Sequence, residues 1–131
     1  AGLNPPDFLE IEINKHSHIT LVKSPTDEEM KRLIKTAQIN LLYTNQATGL
    51  KLKLINVLYN GRFCIVNSKM VDGTTLNSIC EIEDDFTKMI ILIKELMEIE
   101  FPNSELIKRN EVLLNDYSNK LNFNNFLKII D

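Results

Sequence analysis

Apolar positions along the chain recur with two different periods, and the alternation between them predicts a layered α/β architecture. "HITLV", residues 18–22, is β-branched and stops at a Lys-Ser-Pro turn, which predicts a strand. "INLLY", residues 39–43, is a continuous apolar run with polar flanks, as in a strand buried on both faces. "FCIVN" and "ICEIE" predict two more short strands. Helical spacings lie between them. Pro5 and Pro6 open a short helix over residues 6–14, with Phe8, Leu9 and Ile13 able to share a face. "SPTDEEMKRLIKTAQ" sets Thr26 and Glu29 in capping-box spacing and runs from acidic to basic, as the helix dipole prefers. "TGLKLKLINVLYN" repeats Leu50, Leu54, Val57 and Leu58 and ends at Gly61. "SKMVDGTTLNS" predicts a polar, turn-rich connection. "DDFTKMIILIKELMEIE" predicts a helix with Phe86, Ile90, Ile93, Leu96 and Met97 as its apolar positions, broken by Pro102. "SELIKRNEVLLNDYS" and "NFNNFLKII", the latter with Asn122 as its cap, predict two closing helices.

Strands separated by helices in this order demand parallel pairing through right-handed crossovers, and hence a Rossmann-like open sheet flanked by helices. Ligands of such sheets sit at the carboxyl ends of the strands. That directs attention to the loops after Tyr43 and Val66. The length, 131 residues, fits one domain. With 44% hydrophobic and 25% charged residues the chain falls in the globular class, and its apolar runs stop far short of the ~20 residues of a membrane span. A net charge of -3 gives no basic footprint, so nucleic acid is not an expected partner. Cys64 and Cys80 lack the spacing of a zinc or redox pair, and small buried hydrophobes are expected rather than a disulfide. No secretory pattern opens the chain, and the expected compartment is the reducing cytoplasm.

The chemistry concentrates at "TGLKLKLINVLYNGRFCIV", residues 48–66. A glycine at a strand-to-helix junction lets backbone approach a ligand, and a helix start offers unpaired N–H groups to an anion. Thr48, Gly49 and Leu50 would supply donors, Thr48 also a hydroxyl, and Lys51 or Lys53 a positive charge. A plain helix cap fits the same residues. Asn56 follows Thr48 by about two helical turns, which suits a contact to a sugar hydroxyl or an ordinary polar surface position. His16 and His18 in "KHSH" alternate as metal ligands could, but no further ligand lies near, so a surface turn is the expectation. "EIEDD" is expected to serve as helix caps and dipole partners. No phosphate-loop, nucleophile-elbow or Ser/His/Asp pattern is present.

Taken in order, "AGLNPP", "HITLV", "SPTDEEMKRLIKTAQINLLY" and "ATGLKLKLINVLYNGRFCIV" resemble the C-terminal, donor-binding half of GT-B-fold glycosyltransferases of the retaining group-1 family. The resemblance implies half of a GT-B fold without its first strand–helix unit, a fragment inactive by itself and completed by an N-terminal acceptor-binding domain. It implies transfer of a sugar from a nucleotide-sugar donor to a glycan, lipid or small acceptor, with no metal or other cofactor. Thr48, Gly49 and Leu50 become contacts to the donor phosphates or sugar, with Lys51 and Lys53 beside them, and Asn56 becomes the ribose contact. Thr48 and Asn56 stand where the family has carboxylates. Peripheral membrane association of the parent enzyme, and pairing of two chains through an exposed sheet edge, complete the implied partners. Two other readings fit the alternating elements: a non-catalytic α/β binding or regulatory module, receiver-like or flavodoxin-like, and a degenerate glycosyltransferase half kept for assembly.

Overall fold

The computed structural model describes residues 1–2, 4–47 and 51–118. The helix expected over "NFNNFLKII" and its cap Asn122 lie outside them. Contacts divide the chain into two compact units, Ala1–Leu33 and the remainder from Ile34.

The first unit holds α1 (Asp7–Ile13), which starts directly after Pro6 in extended backbone. It also holds most of α2 (Asp27–Thr36). The expected cap of α2 is in place, with Thr26 Oγ1 accepting from the Glu29 N–H at 3.2 Å. None of the unit's described residues is buried. Residues 18–22 do not form the expected strand. The segment continues the turns that end α1, with the His16 N–H donating to the Ile13 carbonyl and Ile19 N–H to that of His16. One parallel bridge then joins Gly2 to Lys23. β-branched side chains favour a strand only when a neighbour takes up their backbone groups, and this run gains a single bridge at its end.

The second unit is built on a three-stranded parallel sheet in the order β1 (Ile39–Leu42), β2 (Phe63–Val66), β3 (Glu81–Ile82). Ile39 faces Phe63 and Leu42 faces Val66 across one ladder, and Ile65 faces Glu81 across the other. Only the central strand is buried along its whole length, which is why it is the one with no polar residue. α3 (Leu52–Asn60) connects β1 to β2. α4 (Ser68–Val71) and a 3₁₀ turn, Leu76–Ile79, lead from β2 to β3. α5 (Phe86–Met97) and α6 (Asn103–Tyr117) follow. No helix among the described residues is long and apolar enough to cross a membrane.

Side chains alternate across β2. Phe63 and Ile65 join Met89 and Leu96 of α5 in one core cluster, edged by Ile39, Leu92, Ile93 and Phe101. Cys64 and Val66 therefore point to the opposite face. There α6, packed on α3 and on the 3₁₀ turn, contributes the buried Leu113 and Arg109.

Three expectations are corrected. "SKMVDGTTLNS" is no polar connection, because Met70, Val71, Leu76 and Ile79 are buried in two one-turn helices too short to display a helical period. α5 turns Met89, Leu92, Ile93 and Leu96 inward, the i, i+3, i+4, i+7 set, and leaves Phe86, Ile90 and Met97 exposed. Gly61 does end α3, but in extended backbone at φ −98° rather than the left-handed cap that glycine usually serves. It is needed for space. A Cβ there would lie 2.6 Å from Asn40 Nδ2 and 2.8 Å from the Val57 carbonyl oxygen.

Candidate functional site

Each parallel strand delivers its last residue to the same edge of the sheet, so the three loops that follow must meet there. Asn67, directly after β2 and 2% exposed, holds two of them together. Its Nδ2 donates to the Thr44 carbonyl at 2.8 Å and its Oδ1 accepts from the Thr44 N–H at 3.1 Å. The amide thus extends the β1–β2 ladder by one rung after the backbones diverge. Both ends of a buried polar group are satisfied, as burial requires.

The β3 side is fastened similarly. Glu83 N–H donates to the Val66 carbonyl at 3.0 Å, continuing the β2–β3 ladder. Asp84 Oδ1 then accepts from both the backbone N–H and the hydroxyl of Ser68, at 2.9 and 3.1 Å. Asp85 caps α5 by accepting from the Lys88 N–H at 2.9 Å. Of the acidic run, Asp85 performs the expected capping, whereas Asp84 braces the start of α4. Tyr43, after β1, stacks on Phe86 at 5.3 Å between ring centroids. The carboxyl edge is therefore a platform of fixed loops with an aromatic pair along one side.

Lys51 and Lys53 sit at the start of α3, and Asn56 one turn further along it. Lys51 Nζ donates to the Ala47 carbonyl at 2.8 Å and to that of Lys69 at 3.4 Å, tying the loop after β1 to α4. Its ammonium is thus at the carboxyl edge and already hydrogen-bonded to protein. Lys53 is exposed. Asn56 is exposed, and its Oδ1 accepts from Asn60 Nδ2 at 2.8 Å. Thr48, Gly49 and Leu50 lie outside the described residues. Ser68, Lys69 and Asp72 line a small hollow of about 160 Å³ beside α4.

A larger cleft, about 680 Å³, opens at the amino edge of the sheet and is lined by Gln38, Arg62, Met97, Glu98, Ile99, Glu100 and Phe101. Gln38 spans it. Its Nε2 donates to the Ile99 and Leu96 carbonyls at 2.7 and 3.2 Å, and its Oε1 accepts from Arg62 at 3.0 Å. With its guanidinium so engaged and two glutamates beside it, this cleft is ill suited to an anion.

Compared with protein-family models, curated proteins and solved structures, the chain shows no match in any of the three. Its function is therefore read from the site.

Sequence reasoning missed Asn67, Asp84 and the Tyr43–Phe86 pair. The one available signal for Asn67 was a polar residue closing an all-apolar strand. Nothing local marked Thr44, its partner 23 positions earlier.

Proposed function

We propose that this chain is the donor-binding part of a retaining GT-B-type glycosyltransferase, with the carboxyl edge of its sheet receiving the diphosphate of a nucleotide sugar. The observation that carries the reading is the parallel β1–α3–β2 unit: it brings Lys51, at the start of α3, to the edge where such sheets take ligands. The resemblance of "ATGLKLKLINVLYNGRFCIV" to the family's donor loop supports the same assignment. In this reading the N–H groups at the start of α3 and the Lys51 ammonium neutralise the leaving diphosphate, which lowers the barrier to glycosidic cleavage. Asn56 meets the ribose. The sugar passes to a glycan, lipid or small acceptor.

A second reading, a degenerate half retained for assembly, draws support from a specific observation. Lys51 and Asn56 both spend hydrogen bonds on the protein itself, and a neutral amide stands at the ribose position. Titration calorimetry with nucleoside diphosphates separates the two. Donor binding predicts saturable heat with at least one base. It also predicts that Asn56→Glu tightens binding about fivefold, because a charge-assisted hydrogen bond to a ribose hydroxyl exceeds a neutral one by about 1 kcal/mol. Absence of heat with every base, from a chain with native circular dichroism, would favour the degenerate half.

A further inference from the structure

Cys64 and Cys80 are 16 positions apart in sequence, but the sheet brings them face to face. The β2–β3 ladder pairs Ile65 with Glu81 and Val66 with Ile82, so one step earlier Cys64 opposes Cys80. Cys80 has extended backbone, φ −127° and ψ 155°, and continues the line of β3. Adjacent parallel strands run ~4.8 Å apart, inside the ~4.4–6.8 Å Cα separation that a disulfide spans. Opposed residues also share a face of the sheet. Both thiols are free, Cys64 fully buried and Cys80 partly open to solvent.

Arg109 lies beside them. It is 3% exposed, its Nη1 donates to the backbone carbonyls of Arg62 and Gly61, and its guanidinium stacks 4.7 Å over the Phe101 ring. Its buried Nε has no hydrogen-bond partner among the described residues. Burial lowers its pKa from the usual guanidinium range, while charge on the two sulfurs, on Glu105 of its own helix and on Glu81 of β3 acts the other way. A buried cation without a fitted counter-charge is costly, and an ionised sulfur on either cysteine would favour it. The two sulfurs divide this role unequally. Hydrogen bonding with Cys80, reinforced by burial, holds the Cys64 proton far above the usual thiol range. The same hydrogen bond, helped by Arg109 against the effect of burial, lowers Cys80.

We propose that Cys64 and Cys80 form a redox-reactive dithiol that hydrogen peroxide or another hydroperoxide closes into a disulfide between β2 and β3. The Cys80 thiolate attacks a peroxide oxygen; the O–O bond breaks, giving Cys80 sulfenic acid and hydroxide. The Cys64 sulfur then attacks the Cys80 sulfur, the S–O bond breaks, and water leaves with the Cys64 proton. Two thiols are oxidised by two electrons, and one hydrogen peroxide becomes two waters.

The test treats the reduced, folded 131-residue chain with hydrogen peroxide, blocks remaining thiols in denaturant, and measures intact mass and the peptide map. The expected product is a monomer lighter by two hydrogens, with the Cys64 and Cys80 peptides joined and released by dithiothreitol. Cys64→Ser should accumulate a diketone-trappable sulfenic acid on Cys80, at least about tenfold faster than Cys64 is oxidised in Cys80→Ser. Two free thiols after treatment, in a chain that keeps its native circular dichroism, would overturn the proposal. So would disulfides formed solely between chains, or faster oxidation at Cys64.

Discussion

At the carboxyl edge, the single amide of Asn67 satisfies both backbone groups of Thr44. Asn67→Ala should cost about 2–4 kcal/mol in urea unfolding, since it strips the partners from a donor and an acceptor together. Asn67→Asp should behave differently with pH. Protonated, the carboxyl can still donate to the Thr44 carbonyl; ionised, it faces that oxygen in a buried site. Burial raises its folded pKa above the unfolded value near 3.9, so the variant's stability is best retained below about pH 4 and falls as pH rises through the folded pKa. Gly61 offers a steric counterpart. Gly61→Ala should cost about 1–3 kcal/mol by the same measurement, and truncating Asn40 should rescue little of it, because the Val57 carbonyl that the new methyl meets is backbone. The Thr-x-x-Glu cap of α2 was readable from sequence because both partners lie within four residues. Asn67 was not, because its partner arrives only when β1 and β2 pair.

α5 shows why helices were easier to find than to orient. Its twelve residues are apolar around much of the circumference, so the sequence supports more than one inward face. Met89 and Leu96 are the ones that reach Phe63 and Ile65, whereas Ile90 and Ile91 stay more than half exposed. Met89→Ala should therefore cost about 2–4 kcal/mol, while Ile90→Ser should change stability by no more than about 0.5 kcal/mol. Equal losses at the two positions in denaturant titrations would contradict the assigned face. The strand at 63–66 was legible because a four-residue apolar run with polar flanks has few other uses, and the one at 39–42 because Asn40 alone interrupts its apolar residues, although it is not buried on both faces as expected. The run at 18–22 carries the same propensity without a neighbouring strand, and it becomes turns and a single bridge. α4 and the 3₁₀ turn were invisible for another reason. One helical turn has no period, and their glycine, threonine and asparagine neighbours mask four buried apolar residues.

For the whole molecule, the consequence of parallel pairing is that the sheet has two unlike edges. The carboxyl edge collects braced loops, an aromatic pair and the Lys51 ammonium; the amino edge holds a wider cleft with Gln38, Arg62 and two glutamates. The alternation of strand and helix made this polarity readable in advance, and with it the edge at which to look. Sequence could not supply the degree to which Lys51 and Asn56 are already engaged with their own chain. The proposed binding of a nucleotide diphosphate at the carboxyl edge is open to amide chemical-shift mapping during titration with a nucleoside diphosphate. Binding at that edge gives saturable shifts at Thr44, Lys51 to Lys53, Asn56 and Asn67 to Lys69. Shifts confined to Gln38, Arg62 and Glu98 to Phe101, or no shifts at millimolar ligand, where even binding worth about 4 kcal/mol would show, would contradict it.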